Sequence, residues 1–213
     1  MIKTIRKNLE TKLPGIRSWT RMAVKPINDN NIVNERIIRY EELLSEKKLK
    51  DMKQAAVLVC FFKKNGEYHI PLIRRPMHEK NHPGQIALPG GAREENETLE
   101  NTALREAFEE VGIIPDEVEI LGRMTPLPVP VSKYLISPFV GITEHEPKWN
   151  INKQEVDELI ILKFKDLINA DNGYYEDWNL NESVLRVPIF KIIKKEIWGA
   201  TAAVLSELID LSN

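Results

Sequence analysis

From Gly91 to Ile113 the chain reads GAREENETLENTALREAFEEVGI, with Gly91, Glu97, Arg105, Glu106, Glu109, Glu110 and Gly112 at fixed intervals. At about 100° per residue, Glu106, Glu109 and Glu110 fall within an arc of about 100°, while Leu99, Ala103, Leu104, Ala107, Phe108 and Val111 cover much of the remainder. One face of such a helix is carboxylate and another is built to pack. Three like charges at i, i+3 and i+4 repel one another, and a hard cation between them relieves the repulsion. The pattern therefore predicts a metal-binding helix, with Mg2+ or Mn2+ as the ion. The helix is expected to begin near Thr98, whose hydroxyl can cap free N–H groups, and to end at Gly112, which reaches the left-handed conformation without a Cβ penalty.

The surrounding sequence supplies strands. Ala55 to Phe62 (AAVLVCFF) and Tyr68 to Arg75 read as two of them, joined around Asn65-Gly66, a favoured hairpin turn. Further strands are expected over 118–124, 135–143, 158–165 and 187–193, with an exposed helix over 34–50 and a last helix from about Ala200 to Leu211. Hairpins interspersed with helical crossovers predict an α/β fold with a mixed sheet, and helices on both faces make it an α/β/α sandwich. At 213 residues and 42% hydrophobic the chain can bury one full core. Residues 1–54 are read as a partly helical extension packed on the same domain, and 55–213 as the domain itself.

Composition narrows the function. Residues 1–54 carry thirteen Lys/Arg against seven Asp/Glu, whereas 93–119 carry ten acidic and two basic side chains. So acidic a face argues against nucleic acid as a partner and leaves a small-molecule substrate. The chain has neither an apolar run long enough for a bilayer nor a signal-peptide pattern, so no membrane partner and a cytoplasmic setting are expected. The single cysteine, Cys60, lies inside an apolar strand and reads as a structural thiol of a reducing compartment. His78 and His82, between Pro76 and Pro83, read as loop residues without a metal, and Tyr134, Phe139 and Trp198 as core. Oligomeric state is left at monomer or homodimer.

The 91–113 segment resembles the Nudix box, GX5EX7REUXEEXGU with U a bulky apolar residue; the one departure is Ala107 at the first U. The resemblance implies the same α/β/α architecture and hydrolysis of a diphosphate. It implies metal ligation by Glu106, Glu109 and Glu110, with Glu110 and Glu106 as the direct ligands and the Gly91 carbonyl as a further oxygen, and a loop-to-helix brace between Glu97 and Arg105. The general base is implied to be Glu109 or a residue of a later loop, for which Glu155, in the segment NKQEV, is the candidate. Upstream, RPMHEKNHPGQIALPGG from Arg75 to Gly91 resembles the motif of Nudix coenzyme A diphosphatases, LLTXR(S/A)X3RX3GX3FPGG. Arg75 matches its first basic residue, Lys80 stands at the second Arg, Gly84 matches its Gly, and Leu88-Pro89-Gly90-Gly91 stands at Phe-Pro-Gly-Gly. Lys80 keeps the charge of an Arg but not its bidentate fork. The resemblance implies substrate contacts from Arg75, Lys80, Gly84 and Gly90, with coenzyme A and its acyl thioesters as substrate class. ADP-ribose, NADH or a dinucleotide is the alternative within the family, and a non-catalytic ligand-binding module the alternative outside it.

Overall fold

The apolar run around Cys60 becomes the central strand of a mixed sheet. In the computed structural model, which describes residues 1–11, 13–27, 40–79, 82–170, 174–180, 183–192 and 194–213, the chain begins with α1 (Ile2–Leu9), α2 (Ile16–Arg21), β1 (Lys25–Pro26) and α3 (Glu46–Leu49). It continues through β2 (Lys53–Lys64), β3 (Glu67–Arg74), β4 (Ile86–Ala87), β5 (Gly90–Ala92) and α4 (Leu99–Val111). After a 3-10 turn at Pro115–Glu117 come β6 (Val118–Arg123), β7 (Leu127–Val129), β8 (Tyr134–Thr143), β9 (Glu158–Lys163) and α5 (Phe164–Asn169). The last elements are β10 (Tyr174–Leu180), β11 (Ser183–Ile192), β12 (Lys195–Ile197) and α6 (Gly199–Leu211).

Strand β2 runs parallel to β8 from Lys53↔Tyr134 to Phe61↔Ile142 and antiparallel to β3 and β5, which makes the sheet mixed. At the β2–β3 turn Asn65 (φ 52°) and Gly66 (φ 80°) are both left-handed, as a two-residue turn matching strand twist requires. Side chains of β2 alternate between two cores. Ala56, Leu58 and Cys60 pack with Ala103, Ala107 and Val111 of α4, while Val59 and Phe61 belong to the opposite core, which also holds Phe164 and Ala202, Leu205 and Leu208 of α6. Because both faces are covered, β2 reads as a continuous apolar run. Cys60 is fully buried, and burial pushes its thiol up to about 12, so it is an inert filler.

Among the described residues a second, four-stranded sheet joins β1, β10, β11 and β12. Helices α1 and α2 pack on α6. No described helix is long and apolar enough to cross a membrane.

Several expected boundaries shift. The strand expected over 158–165 stops at Lys163, because Phe164 and Leu167 bury one face of a helical turn instead. The strand expected from Val187 starts at Ser183, drawn out by pairing with β10, whose sequence YYEDWNL has no aliphatic run to announce it. Residue 193 and residues 34–39 of the expected 34–50 helix lie outside the described residues; 40–43 and Glu46–Leu49 are helical. Phe139 is buried as expected, whereas Tyr134 is half-buried and Trp198 sits half-buried edge-on to Trp178, ring centroids 4.8 Å apart.

Candidate active site

Helix α4 has the limits its sequence predicts. Thr98 Oγ1 accepts a hydrogen bond from the Asn101 N–H at 3.1 Å, and Gly112 ends the helix at φ 82°. Its apolar stripe lies on β2, and that orientation turns Glu106 and Glu110 toward β5. The Gly90 N–H donates to Glu110 Oε2 at 2.9 Å. At Gly91 an added Cβ would lie 2.4 to 2.6 Å from the Glu106 carboxylate, so any side chain here would displace that carboxylate from its present place. Gly91→Ala should therefore push the Glu106 carboxylate aside without unfolding the chain. The expected outcome is a hydrolysis rate lowered about tenfold or more with a melting temperature within a few degrees of the parent; unchanged turnover would separate Glu106 from the reaction.

Loop and helix are tied by a salt bridge. Arg105 Nε donates to Glu97 Oε1 at 2.9 Å, and Glu97 Oε2 accepts from Thr102 Oγ1 and from the Glu94 N–H. Arg105 also reaches the Ala92 carbonyl and Glu109 Oε2, at 3.3 and 2.9 Å. Glu97 and Arg105 thus hold the 92–97 segment against α4.

The third segment arrives from 40 residues downstream. The N–H groups of Asn150 and Asn152 donate to the carbonyls of Val111 and Glu110, each at 3.0 Å, which satisfies acceptors that the helix end leaves open. Val156 is buried in the α4-side core and fixes the loop, and Glu155 consequently stands over the helix. Glu106, Glu110 and Glu155 each offer a carboxylate oxygen within 4.8 Å of the others. Glu109 is outside that group, with its side chain 48% exposed and held by Arg105. His78 and His82 are exposed and belong to no metal-ligand group among the described residues.

Electrostatics follow from this crowding. Burial pushes the Glu110 carboxyl up to about 8 against the Gly90 N–H, which favours its charge; Glu106 and Glu155 add to the rise and Arg75 opposes it. Burial likewise raises Glu106, with Arg105 opposing. Arg105, 3.0 Å from Glu106 Oε1, offsets only part of this crowded negative charge, and an oxygen-only set of this kind fits a hard divalent cation.

Arg75 directly follows β3. Its N–H donates to Gln85 O and its carbonyl accepts from the Gly84 N–H, at 2.9 and 3.1 Å, so Arg75 and Gly84 close the base of the 75–84 loop. Gly84 is left-handed (φ 68°) with Met77 Sδ against it. The guanidinium bonds Glu79 at 3.2 Å through one terminal nitrogen, while its Nε is buried with no hydrogen-bond partner among the described residues. Lys80 lies outside the described residues. Sequence reasoning did not find the Asn150 and Asn152 contacts, which use backbone groups and leave no side-chain signal, nor the Lys195–Glu158 pair, which joins residues 37 apart.

The chain matches the family model of the NUDIX domain over residues 52–183. A relative from Pectobacterium atrosepticum, named uncharacterized Nudix hydrolase NudL, is 32% identical over 179 residues, 83% of this chain and 92% of that one. A protein of the same name from an Enterobacter species is 31% identical over 171 residues, 78% and 88% of the two chains. Among solved structures, the Nudix hydrolase RenU of M. smegmatis shares the fold, with a TM-score of 0.52 and 18% identity over 75% of this chain and 85% of that one. The matched domain, these relatives and the box geometry together make this chain a member of the Nudix hydrolase family, enzymes that cleave the diphosphate of nucleoside diphosphate derivatives.

Proposed function

We propose that this enzyme hydrolyses the internal diphosphate of coenzyme A, free or acylated, to adenosine 3′,5′-bisphosphate and 4′-phosphopantetheine. The observation that carries the reading is Arg75. It stands at the first basic position of the coenzyme A motif, near enough to Glu110 to favour that carboxylate's charge, with a buried Nε that has no hydrogen-bond partner among the described residues. An unpartnered buried donor costs about 1–3 kcal/mol, which a phosphate oxygen would recover.

Glu106 and Glu110, with Glu109 and the Gly91 carbonyl beside them, are the residues we assign to Mg2+ or Mn2+. The ion would neutralise charge on the diphosphate oxygens. Arg75 orients one phosphate, with Lys80 and the backbone at Gly84 and Gly90 completing the substrate contacts. Glu155, exposed and accepting from Asn152 Nδ2 at 3.1 Å, takes the proton of the attacking water; Glu109 is the alternative base. The water oxygen forms a new bond to phosphorus as a bridging P–O bond breaks, and adenosine 3′,5′-bisphosphate and 4′-phosphopantetheine leave. The single inert cysteine fits a cytoplasmic setting.

The test is parallel incubation with coenzyme A, ADP-ribose and NADH, with Mg2+, Mn2+ or chelator, resolving products by anion exchange. Metal-dependent release of adenosine 3′,5′-bisphosphate with little turnover of the others is expected. Arg75→Ala should then lower kcat/KM on coenzyme A about ten- to a hundredfold, equivalent to roughly 1.4–2.8 kcal/mol, and less on dephospho-coenzyme A. Preference for ADP-ribose or NADH would overturn the substrate assignment.

A further inference from the structure

Arg74 and Arg75 are consecutive, so their side chains leave β3 on opposite sides. Arg75 acts on Glu110, on the α4 side. Arg74 turns to the other side and meets Glu158, its register partner on β9, with Nε and a terminal nitrogen 3.0 and 2.8 Å from Glu158 Oε2. Lys195 of β12 completes the group, its Nζ 2.7 Å from both oxygens of Glu158. Lys195 and Glu158 stand at an apolar cleft of about 190 Å³ walled by Leu72, Ile160, Ile192 and Ile197, and they are the two charged side chains of its lining. Apolar walls strengthen an ion pair relative to one in open water. Lys195, ahead of Arg74, keeps the Glu158 carboxyl below its usual range, so the pair is charged at neutral pH.

This group sits back to back with the hydrolytic site. Glu158 begins β9 three residues after Glu155, and the intervening Asp157 N–H donates to the Arg74 carbonyl at 2.9 Å. The point where β3 releases Arg75 and the point where the 149–157 loop becomes β9 are therefore clamped together. Lys195 lies beyond residue 183, where the NUDIX match ends, on β12, whose pairing among the described residues is with β11.

We propose that Lys195 is a positioning residue for hydrolysis: through Glu158 and Arg74 it fixes the strand ends that present Arg75 and Glu155 to the Glu106–Glu110 carboxylates. The inference rests on the roles assigned above to Arg75 and Glu155, but not on the identity of the substrate. Small displacements of positioned groups lower rates steeply, by up to about a hundredfold per ångström.

The test uses whichever nucleoside diphosphate derivative the parent enzyme hydrolyses best, so a substrate other than coenzyme A would overturn the substrate reading and leave this experiment intact. Lys195→Met, isosteric along its stem, keeps the cleft filled and removes the charge. Expected are a kcat/KM lowered about tenfold, recovery of most of it in Lys195→Arg, unchanged metal affinity by calorimetry, and a Lys195→Met/Glu158→Gln double variant no worse than the worse single one. In a Glu155→Gln background, Lys195→Met should cost less than it does in the parent. Turnover within twofold of the parent in Lys195→Met, or losses that multiply in the Lys195→Met/Glu158→Gln variant, or a fall in activity that follows only the folded fraction by thermal melt, would each overturn the proposal.

Discussion

Glu110→Gln should lower kcat by about two to four orders of magnitude, roughly 3–5 kcal/mol of barrier, while leaving a folded and, without metal, more stable protein. The amide keeps an oxygen for the Gly90 N–H, so the contact between β5 and α4 survives. What it loses is the charge. In the metal-free parent the folded Glu110 carboxyl titrates near 8, against about 4.5 in the ordinary state, and burial is the main cause. Below about 4.5 both folded and unfolded chains hold the proton, and stability is at its full value. Between 4.5 and 8 the unfolded chain has released the proton and the folded chain has not, so stability falls as pH rises, and the loss is complete above about 8. Glu106, also raised by burial, acts in the same direction. The melting temperature of the chelated parent should accordingly drop across this window. Glu110→Gln should flatten the drop, and saturating Mg2+ should reverse it in the parent but not in the variant. A variant that retains more than a tenth of parental turnover would remove Glu110 from the catalytic centre.

Glu207→Ala is expected to be the most damaging change to stability away from that centre. Glu207 is fully buried in α6, and its carboxylate accepts from the Gly15 N–H, Trp19 Nε1, the Thr125 N–H and Thr125 Oγ1. Alanine would strand these donors in a dry interior and open a cavity beside Trp19, itself fully buried. A loss of about 3–5 kcal/mol follows, or roughly 6–20 °C in melting temperature for a chain of this size. The damage should be local to the docking of α2 on α6, readable as faster amide exchange over residues 15–21. Because none of the described Glu207 contacts touches the carboxylate cluster, kcat of the folded fraction should be near parental. The variant also tests whether residues 1–54 belong to the same cooperative unit: a separate early transition at low temperature would mark them as an independent appendage.

How far these results were legible in advance depends on the range of the interaction. The limits of α4 and its division into carboxylate and apolar faces follow from residues within a few turns of one another, because capping, left-handed termination and 3.6-residue periodicity are local. The same holds for the Asn65-Gly66 turn and for β2 with its two buried faces. The ends of β9 and β11 were misjudged by a few residues because their limits depend on partners elsewhere, α5 packing in one case and β10 pairing in the other. The side chains that meet at the candidate site were even less a local matter. Periodicity alone puts Glu106, Glu109 and Glu110 on one arc, and only the family resemblance singles out Glu106 and Glu110 and points to Glu155; the folded chain turns Glu109 out to Arg105 and brings Glu155 in beside the other two. That choice is made by two backbone hydrogen bonds from the 149–157 loop to the end of α4 and by the burial of Val156. Tertiary structure also joined Arg74, Glu158 and Lys195, whose separation of up to 121 positions leaves no periodic trace. Sequence by itself determined which helix carries the carboxylates and which face it buries; strand register and loop docking decided which charges meet, because they bring together groups whose spacing along the chain carries no signal.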